Sequence, residues 1–241
     1  MFWDLHTHMV PSGDDGVRTE EDGLALCREA AERGTSVLFA TPHVWPHFEL
    51  SEAREEAVRA AHARMAPRAA EFGLDLRLGF ELTPAPALLE ADLRRFRLGG
   101  LPAVLMELPF DGPLGLAVRL AEEIEAAGLT PVIAHPERAD EVIDDPGQAR
   151  AFAGRGWLLQ VNATSLLGRH GRGPRRTGWR LVEEGLASVM GSDGHRASRP
   201  PFLDEAYEAV RARVGEEAAG DLFGAVALQR LESLAPAEPP S

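Results

Sequence analysis

The chain's 241 residues suffice for one substantial hydrophobic core, and 38 acidic against 25 basic side chains leave a formal charge of −13. That balance argues against a general nucleic-acid-binding surface, and any anionic ligand would need a local positive site. A single cysteine, Cys27, excludes an internal disulfide, no apolar run approaches membrane-spanning length, and the opening Met1-Phe2-Trp3-Asp4 lacks the basic head and apolar core of a secretory signal. The expectation is a cytoplasmic protein without membrane insertion.

The first apolar run, residues 2–5, leads into His6 and His8. Thr19, with Asp22 three residues on, opens a helix over residues 19–33 that stops at Gly34; Cys27 inside it reads as a packed thiol. Residues 36–41 form the second run and pass through Pro42 to His43, with His47 beyond it as a residue that could touch substrate. Ser51 opens a helix over residues 51–72, in which His62 is expected to face solvent. The third and fourth runs, residues 74–82 and 103–108, embed Glu81 and Glu107 in apolar sequence. A helix over residues 114–127 precedes the fifth run, residues 131–134, which ends at His135. Helices over residues 146–153, 176–184 and 202–214 alternate with the last two runs, residues 157–161 and 187–190. The sixth closes at Asn162 with no evident ligand, and the seventh leads to Asp193 and His195.

Regular alternation of this kind predicts an α/β domain over residues 1–234, with a parallel sheet covered by helices, closed into a barrel or open and doubly wound. Residues 235–241, rich in Pro and Ala, read as a disordered tail. No glycine-rich phosphate loop follows a strand, which argues against nucleotide binding.

If parallel strands all end at one rim, groups far apart in sequence converge there, and a metal site is the first hypothesis. Each element of it has a plainer reading. An HxH pair is often a surface pair, Asp14-Asp15-Gly16 is often only a turn, and Asp193 with His195 could be an Asx turn beside a surface imidazole. Glu81 and Glu107 could each salt-bridge to arginine, although two buried carboxylates at equivalent strand ends both call for a cation. His170, in a Gly/Arg segment, is expected to be solvated.

Taken together, His6-Thr7-His8, Asp14-Asp15-Gly16, Ala40-Thr41-Pro42-His43, Glu81, Glu107-Leu108-Pro109, the Ile133 to Arg138 stretch, Gln160 to Gly168 and Ser192 to His195 stand in an order that resembles the PHP (polymerase and histidinol phosphatase) superfamily of phosphoesterases. The likeness is strongest to bacterial protein tyrosine phosphatases of the CpsB/YwqE type. The resemblance implies a distorted seven-unit, TIM-like (β/α)7 barrel holding three divalent ions, manganese first, with iron or zinc as alternatives. It implies one ion on His6, His8, Glu81 and Asp193, a second on Glu107 and His135 bridged by Glu81, and a third on Asp15, His43 and His195, with Asp15 chosen over Asp14. The sequence departs from the family pattern at Val44, at Thr83 and in the short segment from His195 to Arg199, positions that bear on substrate more than on metal.

The activity implied is phosphomonoester hydrolysis by a metal-bound hydroxide, with Arg138, and Arg199 second, clamping the phosphate. The implied substrate is phosphotyrosine in a protein, a bacterial tyrosine kinase controlling exopolysaccharide synthesis being one such partner. A phosphatase for histidinol phosphate or another small metabolite, and a noncatalytic metal-binding domain, are the alternatives. Arg169, Arg172, Arg175 and Arg176 form a basic segment that either recruits an acidic phosphopeptide or is a solvated mobile loop.

Overall fold

A computed structural model describes residues 1–44, 51–224 and 226–234; His47 and the tail at 235–241 lie outside the described residues. The strands are β1 (Phe2–Thr7), β2 (Thr35–Ala40), β3 (His43–Val44), β4 (Asp75–Leu78), β5 (Glu81–Leu82), β6 (Ala103–Glu107), β7 (Thr130–Ala134), β8 (Leu158–Asn162) and β9 (Val189–Gly191). All pairings between them are parallel, as an alternating chain requires. They form a three-stranded sheet, β1-β2-β4, and a six-stranded sheet, β3-β5-β6-β7-β8-β9.

The second and third apolar runs are each broken in two, and the breaks have local causes. Pro42 has no N–H to give a ladder, so β2 ends before it and pairing resumes at His43. In the neighbouring run the chain breaks at Gly79 and Phe80, and a Cβ on Gly79 would lie 2.6 Å from the Leu98 side chain. Gly79 N donates to Ala40 O (2.8 Å) and Glu81 N to Pro42 O (3.2 Å), so the two breaks are bonded to each other. The runs therefore leave the first sheet and enter the second side by side. At the other junction Asp193 N donates to His6 O (2.8 Å) and His8 N to Gly194 O (2.7 Å). The strands thus form two parallel sheets that share their second and third runs, neither closing as a continuous ladder.

Period-two alternation sorts the strand residues into two layers. Val37, Phe39, Ala103, Leu105, Val132, Ala134 and Val189 pack on the inner face. Leu38, Ala40, Val104, Met106, Ile133, Leu159, Val161 and Met190 face the helices. The helices are α1 (Glu20–Glu32), α2 (Glu52–Ala70), α3 (Gly115–Ala126), α4 (Asp140–Asp144), α5 (Gly147–Gly154), α6 (Ala163–Leu166), α7 (Arg172–Glu183), α8 (Asp204–Val214), α9 (Glu216–Phe223) and α10 (Val226–Leu234). Thr19 and Ser51 cap α1 and α2, accepting from Asp22 N (3.1 Å) and Arg54 N (3.2 Å). Helices α4, α6, α9 and α10 were not expected; α10 sends Leu228 and Leu231 into the inner core. Helix α7 begins four residues earlier than its apolar periodicity suggests, so Arg172, Arg175 and Arg176 are helical and only Arg169 precedes it.

Gly23, within α1, stands against the backbone oxygen of Met9, which a Cβ would approach to 2.3 Å. Helix propensity alone would make Gly23→Ala stabilising by up to about 1 kcal/mol. The expected result is the opposite, a lower urea midpoint, because the backbone of Met9 cannot yield as a side chain can.

Candidate metal centre

Nine side chains assigned as ligands from the sequence come together at the C-terminal ends of the strands, all but Asp15 buried. The register of β1 against β2 slips between Asp4 and Thr7, an irregularity of the kind that re-aims a side chain. Leu5 belongs to the inner core, yet His6 also turns inward. Its Nε2 lies 3.0 Å from Glu81 Oε2 and 3.6 Å from Asp193 Oδ1. Its Nδ1 lies 2.9 Å from Gln160 Oε1, and Gln160 Nε2 donates to Asn162 Oδ1 (2.9 Å). Since the amide nitrogen is spent on Asn162, His6 Nδ1–H donates to Gln160 and Nε2 faces the cluster. His8 Nε2 is 3.3 Å from His6 Nε2 and 3.4 Å from Glu81 Oε2.

His43, fixed behind Pro42, lies with Nδ1 3.0 Å from Glu81 Oε2 and Nε2 3.6 Å from Asp15 Oδ1. His195 Nδ1 donates to Asp193 O (2.8 Å), leaving Nε2 3.2 Å from Asp15 Oδ1. His135 Nε2 is 3.1 Å from Glu81 Oε1. His135 and Asp193 have φ of 34° and 55°, the only positive values outside glycine among the described residues. Both strained backbones sit where a strand hands its side chain to the cluster.

Three sets of donor atoms lie within 4.8 Å of one another: His8, Asp15, His43 and His195; His6, His8 and Glu81; and His43, Glu81 and Glu107. His8, His43 and Glu81 are each shared between two sets, and His135 meets the cluster at Glu81. The two aspartates of the acidic turn divide the work. Asp15 faces two imidazoles, whereas Asp14 Oδ2 is taken by His8 Nδ1 (3.2 Å) and His43 N (3.0 Å), and its Oδ1 accepts from Gly16 N (3.0 Å).

Asp193 Oδ2 accepts from Arg138 Nη1 (2.8 Å), Arg199 Nη2 (2.8 Å) and Asn162 Nδ2 (3.1 Å). The short segment after His195 forms a tight turn, with Arg199 N donating to Arg196 O (2.7 Å), which brings Arg199 back over Asp193. The Thr83 hydroxyl donates to Glu107 in a short hydrogen bond.

Several site residues were missed or misread. Gln160 and Asn162 alternate on β8 toward the inner face, and period-two spacing in the sixth run was the signal for them. Asp4, fully buried, accepts from Ser192 N (2.9 Å), tying the first strand to the last. Glu137, also buried, accepts from Asn162 N (3.1 Å) and Ser165 Oγ (2.7 Å). His170 is not solvated but half-buried, with Nδ1 2.9 Å from Ser165 Oγ. His62 bonds Leu76 O (2.8 Å) and ties α2 to β4. Cys27 is buried, and burial pushes its thiol up to about 12, which leaves it inert. Arg169 pairs with Glu205 (3.3 Å) on the surface.

The cluster's electrostatics ask for added positive charge. Burial pushes Glu107 up to about 8, and neighbouring Glu81 adds to the rise. Burial works against protonation of His8, yet hydrogen bonds to Asp14 and Glu81 lift it to about 10. His6 is raised as well, Glu81 and Asp193 outweighing its burial. Imidazole nitrogens facing one another across 3.3 Å among buried carboxylates form a donor set that divalent ions satisfy and protons satisfy only in part.

The Capsular polysaccharide synthesis, CpsB/CapC family model matches residues 2–232. The chain is 30% identical over 220 residues to the tyrosine-protein phosphatase YwqE of Bacillus subtilis, covering 89% of this chain and 85% of that protein. It is 27% identical to the tyrosine-protein phosphatase CpsB of Streptococcus agalactiae serotype III, covering 91% and 94%. Among solved structures it is similar to one described under YwqE from Bacillus subtilis and CpsB from Streptococcus pneumoniae, unique metal-dependent tyrosine phosphatases, with a TM-score of 0.83, 28% identity and coverage of 95% and 94%. A D-hydantoinase matches at a TM-score of 0.54 with 14% identity, covering 92% of this chain and 68% of that one, a likeness of fold alone.

Two measurements follow from the carboxyls. With Glu107 protonated below about pH 8, ions must displace a proton, so divalent-metal affinity measured by calorimetry should rise from pH 6 to 8.5 with net proton release, and Glu107→Gln should flatten the pH dependence. Burial raises the Glu137 carboxyl from 4.5 to about 7, so the stability its neutral form contributes is full below 4.5 and lost as pH rises through 7. Relative to wild type, Glu137→Gln should gain about 3 kcal/mol of unfolding free energy between pH 4.5 and 8 in denaturant titrations.

Proposed function

Because the chain belongs to the CpsB/CapC capsular polysaccharide synthesis family, we propose that it is a metal-dependent phosphomonoesterase that removes phosphate from phosphotyrosine in proteins. The observation that carries this reading is the convergence of five imidazoles and four carboxylates beneath two arginines. His6, His8, Asp15, His43, Glu81, Glu107, His135, Asp193 and His195 hold three divalent ions, manganese by preference, at the rim of what we read as a distorted seven-unit barrel within one domain over residues 1–234. Such ions, when bound, act as Lewis acids toward phosphoryl oxygens and make water acidic enough to serve as the nucleophile near neutral pH.

The chain's own residues set the rest. Gln160, Asp14 and the carbonyl of Asp193 orient His6, His8 and His195 so that one defined nitrogen of each meets the cluster. Arg138 and Arg199 each give one N–H to Asp193 Oδ2, which turns Oδ1 toward the imidazoles, and their remaining N–H groups are donors for a phosphoryl dianion. Four ligand carboxylates against three divalent ions leave a local charge of about +2, which concentrates phosphate at one point of a molecule of net charge −13. A phenol leaves with a pKa of ~10, so cleavage proceeds without a strong acid at the leaving oxygen. The substrate is a phosphotyrosine protein in the cytoplasm, a tyrosine kinase of the exopolysaccharide pathway being the partner class.

Steady-state kinetics on protein stripped of metal and reloaded with Mn²⁺ should show a higher kcat/KM on a phosphotyrosine peptide than on histidinol phosphate. Preference for histidinol phosphate would move the protein to small-metabolite chemistry. His135→Ala should lower metal-dependent turnover about 100-fold or more with the fold intact by circular dichroism, and Arg138→Ala about as much with the metal content retained. Unchanged activity in His135→Ala would sink the mechanism.

A further inference from the structure

Apart from Met1, Phe110 is the one exposed large apolar side chain among the described residues, with 44% of its surface open. Single exposed aromatics are common on protein surfaces; the position of this one is what matters. The guanidinium carbon of Arg138 stands 4.4 Å from the ring centroid, and the His135 ring lies 5.7 Å away. One side of Phe110 is thus held by the cluster's own rim.

Phe110 also lines a cavity of ≈290 Å³ walled by Pro84, Leu108, Pro109, Pro113 and Leu116 and bordered by Glu107. Glu107 is the only charged residue on its lining, and the one hydroxyl there, on Thr83, is already given to that carboxylate. Prolines make the walls stiff, so little entropy is lost when a flat group enters. The volume is at the small end for ligand pockets, and the apolar lining suits an aromatic ring while offering a sugar few hydrogen-bond partners. Glu107 belongs both to this slot and to a set of converging donor atoms with His43 and Glu81. The slot therefore adjoins the donor cluster at Glu107.

We propose that Phe110 and this slot form an aryl subsite, which receives the aromatic ring of the leaving group while the phosphate sits at the cluster. The inference rests on the phosphatase reading. In an aryl phosphate the ring is bonded directly to the ester oxygen, so a phosphate gripped by Arg138 carries its ring into reach of Phe110, which Arg138 itself holds in place. A seryl or threonyl phosphate has no surface to offer there. The subsite selects by apolar contact and ring–ring packing, and needs no polar contact with the leaving group.

The test is equilibrium binding of phenylphosphonate and methylphosphonate to Mn²⁺-loaded protein by calorimetry. Wild type should bind the phenyl compound about tenfold more tightly than the methyl one, and Phe110→Ala should bring that ratio close to one. Phe110→Trp should keep the ratio and report phenylphosphonate by a change in indole fluorescence, while Leu116→Trp, which fills the slot, should reduce it. The ratio of kcat/KM for phosphotyrosine over phosphoserine peptides should fall in parallel in Phe110→Ala, chiefly through KM. Equal weakening of both phosphonates in Phe110→Ala would overturn the subsite and leave Phe110 as a support for Arg138, with aryl phosphatase activity in wild type still standing. If metal-loaded wild type bound neither phosphonate and cleaved no phosphomonoester, the phosphatase reading would fail and the subsite with it.

Discussion

The buried carboxylate of Glu81 is the constraint around which the rest is arranged. It lies 3.0 to 3.4 Å from the imidazoles of His6, His8, His43 and His135, which come from three separate strands or strand ends. An ionised carboxylate with no surface exposure is tolerated only when positive charge surrounds it. The imidazoles around Glu81 hold it well below the usual carboxylate range despite its burial. Its position follows from the break at Gly79, where the close approach of Leu98 leaves no space for a side chain. Without that break β4 would run on in the first sheet, and residue 81 would not face β6.

A second layer of residues turns the cluster from a collection of ligands into an oriented site. Gln160 and Asn162 link His6 to Asp193 across the inner face, and Glu137 holds the backbone of Asn162 from behind. Ser165 Oγ donates to Glu137 and accepts from His170 Nδ1, so that imidazole is fixed as well. Arg54 donates to His43 O (2.8 Å) and Ser12 O (3.0 Å), tying the acidic turn to the second run from the helix side. These polar groups occupy the same end of the molecule because the opposite end is filled by Phe39, Leu98 and the α10 leucines. Apolar floor and polar rim divide the interior along the strand direction.

Much of this was legible in the sequence because parallel strands make chain order predict spatial order. His6, His43, Glu107, His135 and Asp193 each follow an apolar run, and their convergence needs only that the runs point one way. The grouping of donors was not legible, since it depends on a register slip in β1 and on left-handed backbone at His135 and Asp193, none of which periodicity records. The division of the second and third runs had a signal at Pro42 and Gly79, but how the strands then divide between two ladders is a question of hydrogen bonding between distant segments. Helix α9 carries Gly220 and ends at Gly224, which masked its amphipathic face; α10 is short, and its role in closing the floor comes from tertiary contact alone. His170 lay in a segment rich in Gly and Arg, a composition that reads as solvated loop until Ser165 is placed beneath it.

The junction between the first and last strands has a consequence for how the protein is made. Ser192 N bonds Asp4 Oδ1 across 188 residues, and His8 Nε2 lies 3.7 Å from Asp193 Oδ1 at that junction. On the ribosome, at roughly 5 to 20 residues per second, His6 and His8 precede Asp193 and His195 by about ten to forty seconds. For that interval the nascent chain carries an imidazole pair that can meet Glu81 but not the aspartate across the junction. The floor that supports them, Leu228 and Leu231, is synthesised later still. The complete donor set therefore comes into being only once Asp193 and His195 have been made, and the ion it selects is the one available to a fold that already holds both.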